Sequence, residues 1–149
     1  MRKFILILGL LLVISANTLA MENFSTFDQK VLDCSALLEN EYAKCPETWS
    51  MKCYGKLMEA NHTTQKCYKG IAVELFVKFY GLSPNVATER IDTFQKFIYD
   101  QYFFVFSQTD YCKENNCGIG LYLYSEYTTT EQLRYYVNKI IRSLSARNQ

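Results

Sequence analysis

Six cysteines, all placed after a short apolar leader, constrain this chain more than any other feature. The leader opens with Arg2 and Lys3, continues as an apolar run from Phe4 to Ile14, and closes on the small residues Thr18 and Ala20. A positive start, a short hydrophobic middle and a small-residue end are the marks of a secretory signal. The apolar run is shorter than the roughly 20 residues that cross a bilayer. Residues 1–20 are therefore expected to be a signal peptide, and residues 21–149 a secreted, extracellular domain without an integral membrane span. In the oxidising compartment that such a chain enters, cysteines pair.

Taking 20 from 149 residues leaves 129, an ordinary size for one domain. A chain of that length buries roughly two thirds of its unfolded surface, so disulfides would reinforce a core rather than replace one. Arg2 and Lys3 leave with the leader, and the 16 basic residues become 14 against 15 acidic ones. Such a balance offers no electrostatic pull towards nucleic acid or an anionic membrane. Gly (6) and Pro (2) are too few for a linker. The polar stretch from Ser143 to Gln149 carries neither a hydrophobic anchor tail nor a retention signal.

Two glycosylation acceptors suit export. Asn23-Phe24-Ser25 follows the expected cleavage point, and Asn61-His62-Thr63 falls in a polar break between helical patterns. Asn61 is the stronger candidate, because an exposed loop leaves room for a glycan.

The apolar spacing is helical almost throughout. Phe27, Val31, Cys34 and Leu38 share one face, which predicts a helix over about 26–43 capped by Ser25 or Thr26. Pro46 suits the first position of a second helix, whose apolar face is Trp49, Cys53 and Leu57 and which ends near Ala60. Residues 61–64 read as a loop. A third helix carries Cys67, Ile71, Leu75 and Phe79 and stops at Gly81. Ser83-Pro84 restarts the pattern in a fourth, with Val86, Ile91, Phe94, Phe97, Ile98, Tyr102 and Val105. Residues 107–120 form a polar loop. In 119–127, Leu121 and Leu123 alternate with Tyr122 and Tyr124, the period of an extended segment. Thr128 and Glu131 make a capping box for a last helix lined by Leu133, Val137, Ile140, Ile141 and Leu144. The expected fold is an all-α, single-domain bundle of about five helices stapled by disulfides.

The cysteines Cys34, Cys45, Cys53, Cys67, Cys112 and Cys117 are separated by 10, 7, 13, 44 and 4 residues. Zinc sites use close pairs with histidines nearby, and the chain has 1 histidine, so disulfides are expected and no metal. Cys45 and Cys53, if both lay along one helix, would be about 12 Å apart at 1.5 Å per residue, beyond disulfide reach. With that pair excluded, Cys34–Cys53 suits a hairpin turning near Cys45, Cys112–Cys117 closes a small loop, and Cys45–Cys67 remains by elimination.

No constellation for catalysis emerges. His62 has no serine elbow or free cysteine beside it. Asp100 lies in a strongly apolar tract, and it reads as marking the wet side of its helix. Gly118-Ile119-Gly120 lacks the strand and lysine of a phosphate loop, and no cofactor is implied. The aromatic tract is the exception for binding: seven aromatic side chains fall between Phe94 and Phe106. Phe97, Tyr99, Tyr102, Phe103 and Phe104 are its candidate ligand contacts, since flat rings with polar tips suit protein, glycan or lipid partners.

Saposin-like proteins share export, helices and six cysteines, but their hallmark is a close cysteine pair near each end, and this chain lacks the first. Secreted phospholipases require a His-Asp pair, and His62 is followed by Thr63. The first expectation is a secreted, non-catalytic binding protein. A lipid-binding helical module of saposin-like character comes second, and a small secreted hydrolase or inhibitor third.

Overall fold

The computed structural model describes residues 24–45, 51–115 and 117–147. The leader, Asn23, Pro46 and Trp49 lie outside the described residues. Five helices make up the described chain: α1 over 24–43, α2 at Met51–Tyr80, α3 at Pro84–Ser107, the short α4 at Asp110–Asn115 and α5 at Gly118–Arg147. The all-α expectation holds.

Cross-helix pairs give the directions. Phe27 meets Phe79, Lys30 bonds Glu74 at 2.6 Å and Ser35 bonds Tyr68 at 2.8 Å, so numbers rise along α1 as they fall along α2. Lys69 with Asp92 and Gln65 with Gln95 set α3 antiparallel to α2. Phe94 with Tyr136 and Phe103 with Tyr122 set α5 antiparallel to α3. The result is an up-down-up-down bundle in which α2 and α5 run the same way. Its core joins Phe24, Phe27, Val31 and Cys34 of α1 to Tyr68, Ile71 and Leu75 of α2, Ile91 of α3, and Leu133, Val137 and Ile141 of α5.

Several helix ends fall where local chemistry put them. Gly81 takes φ +66°, which a side chain would resist, and the Leu82 amide folds back onto the Phe76 carbonyl. Ser83 caps α3 by accepting from the Val86 amide at 3.4 Å, with Pro84 in the first turn. Other boundaries are corrected. α1 already includes Phe24, so Ser25 and Thr26 lie inside the helix. The 107–120 segment contains a helix, α4. Residues 119–127 are helical, and Thr128 is not a cap but donates its hydroxyl to the Tyr124 carbonyl at 2.8 Å.

The largest correction concerns 61–64, which lie within a continuous α2. Leu57, Asn61, Thr64, Gln65, Tyr68, Ile71, Ala72 and Leu75 are all buried at spacings of three and four, one uninterrupted helical stripe. Asn61 stays inside because its bonds are met: Nδ2 donates to the Leu57 carbonyl at 2.8 Å and Oδ1 accepts from Thr130 Oγ1 at 2.8 Å. The expectation of an exposed glycan acceptor there is corrected, since Nδ2, the atom a glycan would occupy, is engaged and buried. Thr63 is exposed, so Thr63→Ala is expected to change stability by less than about 0.5 kcal/mol and to leave the mass of the protein, expressed through a secretory route, unchanged apart from the substitution itself. Asn61→Gln, the usual way to erase an acceptor, should instead cost about 1–3 kcal/mol by overpacking. Mass spectrometry and urea unfolding of both variants read this directly, and loss of a glycan mass in Thr63→Ala would overturn it.

The three disulfides are Cys34–Cys67, Cys45–Cys53 and Cys112–Cys117. Only the last matches expectation; Cys34–Cys53 and Cys45–Cys67 are not formed. The exclusion of Cys45–Cys53 assumed a helical rise between them, but α1 ends before Cys45, which is not helical, and the two Cα atoms are 5.7 Å apart.

Candidate functional site

The aromatic tract divides between two jobs. Tyr99, Tyr102, Phe103 and Phe106 are half-buried, and two of them stitch α3 to α5: Phe103 packs on Tyr122 at 5.2 Å, and Phe106 stacks on Tyr124 at 4.2 Å. Phe97, Phe104 and Val105 point away, 59%, 64% and 60% exposed. They stand at i, i+7 and i+8, one stripe on the outer side of α3. Only Ala87, Ile91 and Ile98 of this helix are buried; Val86, Phe97 and Val105, which belong to the same apolar pattern, lie outside. Asp100 is exposed and bonds Lys96 at 2.6 Å, as its reading on the wet side anticipates.

A second feature lies where α2, α3 and α5 meet. His62, Gln65, Gln95, Tyr99 and Glu126 surround a groove of about 240 Å³. Glu126 has a side chain only 12% exposed. Its Oε2 accepts from Gln65 Nε2 at 2.7 Å, and its Oε1 lies 3.2 Å from His62 Nε2. Gln65 Nε2 also lies 3.1 Å from Thr130 Oγ1, and Gln65 Oε1 accepts from Gln95 Nε2 at 2.6 Å. Burial pushes the Tyr99 hydroxyl above its ordinary range, and the Glu126 charge adds to this. The phenol is therefore neutral at physiological pH, able both to donate and to accept.

The groove has a histidine–carboxylate pair but no activated nucleophile. Its one aliphatic hydroxyl, on Thr129, donates to the Ser125 carbonyl at 2.7 Å, and every cysteine is in a disulfide. Among the described residues no group of three His, Cys, Asp or Glu side chains could hold a metal ion.

A third feature is a groove of about 650 Å³ between α1 and α5, with exposed Leu32 and Tyr135 on its walls and Arg134, Lys139 and Arg142 along one side. Arg134 bonds Glu131 at 2.7 Å, and Lys139 sits 6.0 Å from the Tyr135 ring centre. Deeper in the bundle, burial raises the Tyr68 hydroxyl while its bond to Ser35 opposes the shift.

Phe97 and Phe104 thus lie on one surface, whereas Tyr99, Tyr102 and Phe103 face elsewhere; the predicted ligand set is not one site. Gln65, Gln95 and Glu126 were missed. The signal that would have found Gln65 is its position, four after Asn61 and three before Tyr68, in register with the buried apolar residues Leu57, Tyr68, Ile71 and Leu75. Compared with protein families, with curated proteins and with solved structures, the chain matches none.

Proposed function

We propose that this chain is an exported, non-catalytic recognition protein whose outer α3 face docks an extracellular protein. The carrying observation is the Phe97, Phe104 and Val105 stripe, three large apolar side chains each about 60% exposed on a helix held rigidly from behind. Exposed aromatic side chains aligned on one face mark contact sites even where polar residues, here Asp100 and Gln101, stand between them, and aromatic anchors dominate such contacts. The stripe's neighbouring charges favour a protein over an anionic bilayer: Lys96 and Asp100 neutralise each other, so no excess cation stands ready for phosphate headgroups. Three disulfides suit an oxidising compartment, and no described helix is long and apolar enough to cross a membrane.

Photo-crosslinking residues placed at 97 and 104, with a control at Lys56 on α2, should yield one shared product in native extracellular fluid from the first two only. Unlabelled wild-type protein should compete it away, and the Phe97→Ser/Phe104→Ser variant, with unchanged helicity, should not. The reading fails if the product survives wild-type competition, if the double variant competes equally, or if the protein instead co-sediments with phosphatidylcholine vesicles through these two rings.

A further inference from the structure

Beyond the α3 docking face, and independently of it, we infer that the groove between α2, α3 and α5 is a subsite for a single neutral sugar ring. A carboxylate only accepts hydrogen bonds, and that asymmetry propagates from Glu126. Because Glu126 Oε2 accepts from Gln65 at 2.7 Å, the Gln65 amide must turn its nitrogen towards it. The Gln65 oxygen is then left to accept, and it takes the Gln95 N–H at 2.6 Å. Gln95 retains its carbonyl oxygen and its second N–H on a half-buried side chain that lines the groove. Their orientation is fixed from behind by a buried residue, Gln65, itself held by Glu126 and Thr130.

A donor and an acceptor held side by side match two adjacent ring hydroxyls, each of which both gives and takes a hydrogen bond. The Tyr99 hydroxyl offers a further polar contact. Its ring, stacked on Phe103 at 5.9 Å and 19°, forms an apolar wall for the C–H face of a sugar. Charge selects a neutral ligand: Asp92 is bonded to Lys69, Lys96 to Asp100, and the remaining carboxylate, Glu126, accepts from Gln65 and faces His62 Nε2, so each ion lining the groove already has a partner. Size selects one ring, since about 240 Å³ is smaller than the roughly 300–1,000 Å³ that encloses a drug-sized ligand. Few contacts in an open groove set the affinity near about 1 mM.

The test is an NMR titration of the ¹⁵N-labelled protein with methyl glucoside, methyl galactoside, methyl mannoside and N-acetylglucosamine. At least one should shift the Gln95 side-chain amide and the backbone amides of His62 and Tyr99 saturably. Gln95→Leu and Tyr99→Ala should each weaken binding by about tenfold or more, while Leu37→Ser on the exposed side of α1, outside the groove, leaves it unchanged. The inference is overturned if no sugar produces saturable shifts, if the shifts centre away from Gln95, or if Gln95→Leu binds as wild type does. It is overturned equally if only charged probes, glucosamine or N-acetylneuraminic acid, bind there. Should a variant not fold, the wild-type shift map alone decides.

Discussion

Replacing Cys34 and Cys67 together by alanine is expected to remove about 4 kcal/mol of stability, the chain-entropy value for a bridge that closes 33 residues of sequence. The equivalent double replacement of Cys112 and Cys117, only 5 apart, should cost about 2 kcal/mol on the same basis. Location widens the gap. Cys34 is fully buried in the main core, with Cys67 packed against it, and the bridge sits beside the Ser35–Tyr68 bond that registers α1 on α2. Cys112 lies within the short α4 and Cys117 just beyond it, in the α3–α5 connection. Urea unfolding of both double variants measures the difference. Comparable losses would mean that loop length and core position do not govern how these bridges act. Since a domain of this size is stable by about 5–15 kcal/mol, loss of the first bridge should leave folded protein in low yield, and loss of the second should not.

The legible parts of the fold were those where chemistry is local. Gly81, Ser83-Pro84 and the Cys112–Cys117 spacing each act within a few residues, and the structure places all of them as their chemistry implies. What escaped was polar chemistry used as core. Asn61, Thr64 and Gln65 on α2, and Ser125, Thr129 and Thr130 on α5, are all buried. A reading that scores only apolar periodicity therefore breaks both helices at these residues. The alternation of 121–125 is real in burial as well, with Leu121, Leu123 and Ser125 inside and Tyr122 and Tyr124 outside. Its cause is a helix gripped on two sides rather than a strand: Leu123 packs with Cys45 and Leu57 on one side, while Leu121 and Ser125 are buried on the opposite side. Residues two apart on a helix point in nearly opposite directions, so two-sided packing imitates a period of two. The groove was illegible for the same reason, because its orientation rests on Gln65 and Glu126, 61 residues apart.

That polar seam carries the second large expectation. Gln65→Leu keeps roughly the side-chain volume but deprives Glu126, Thr130 and Gln95 of a shared partner. The expected loss is about 3 kcal/mol, because a buried acceptor left unmet bears its full desolvation cost, more so when charged. Gln65→Glu is the sharper probe. It preserves shape while facing one carboxylate with another, which favours the protonated form of the pair in the folded state. A folded-state pKa raised in this way gives stability that is present at low pH and lost as pH rises. Gln65→Glu should therefore be the weaker protein at neutral pH and recover towards mild acid, whereas the Gln65→Leu loss should ease less over the same range, since only one carboxylate is affected. Thr64→Val supplies the opposite sign. The Thr64 hydroxyl is buried without a hydrogen-bond partner, so removing it should be neutral or stabilising. Chemical denaturation of the three variants at neutral and mildly acidic pH separates these cases. If Gln65→Leu were as stable as the wild type, the seam would be merely tolerated, and the fixed orientation of Gln95 would lose its cause.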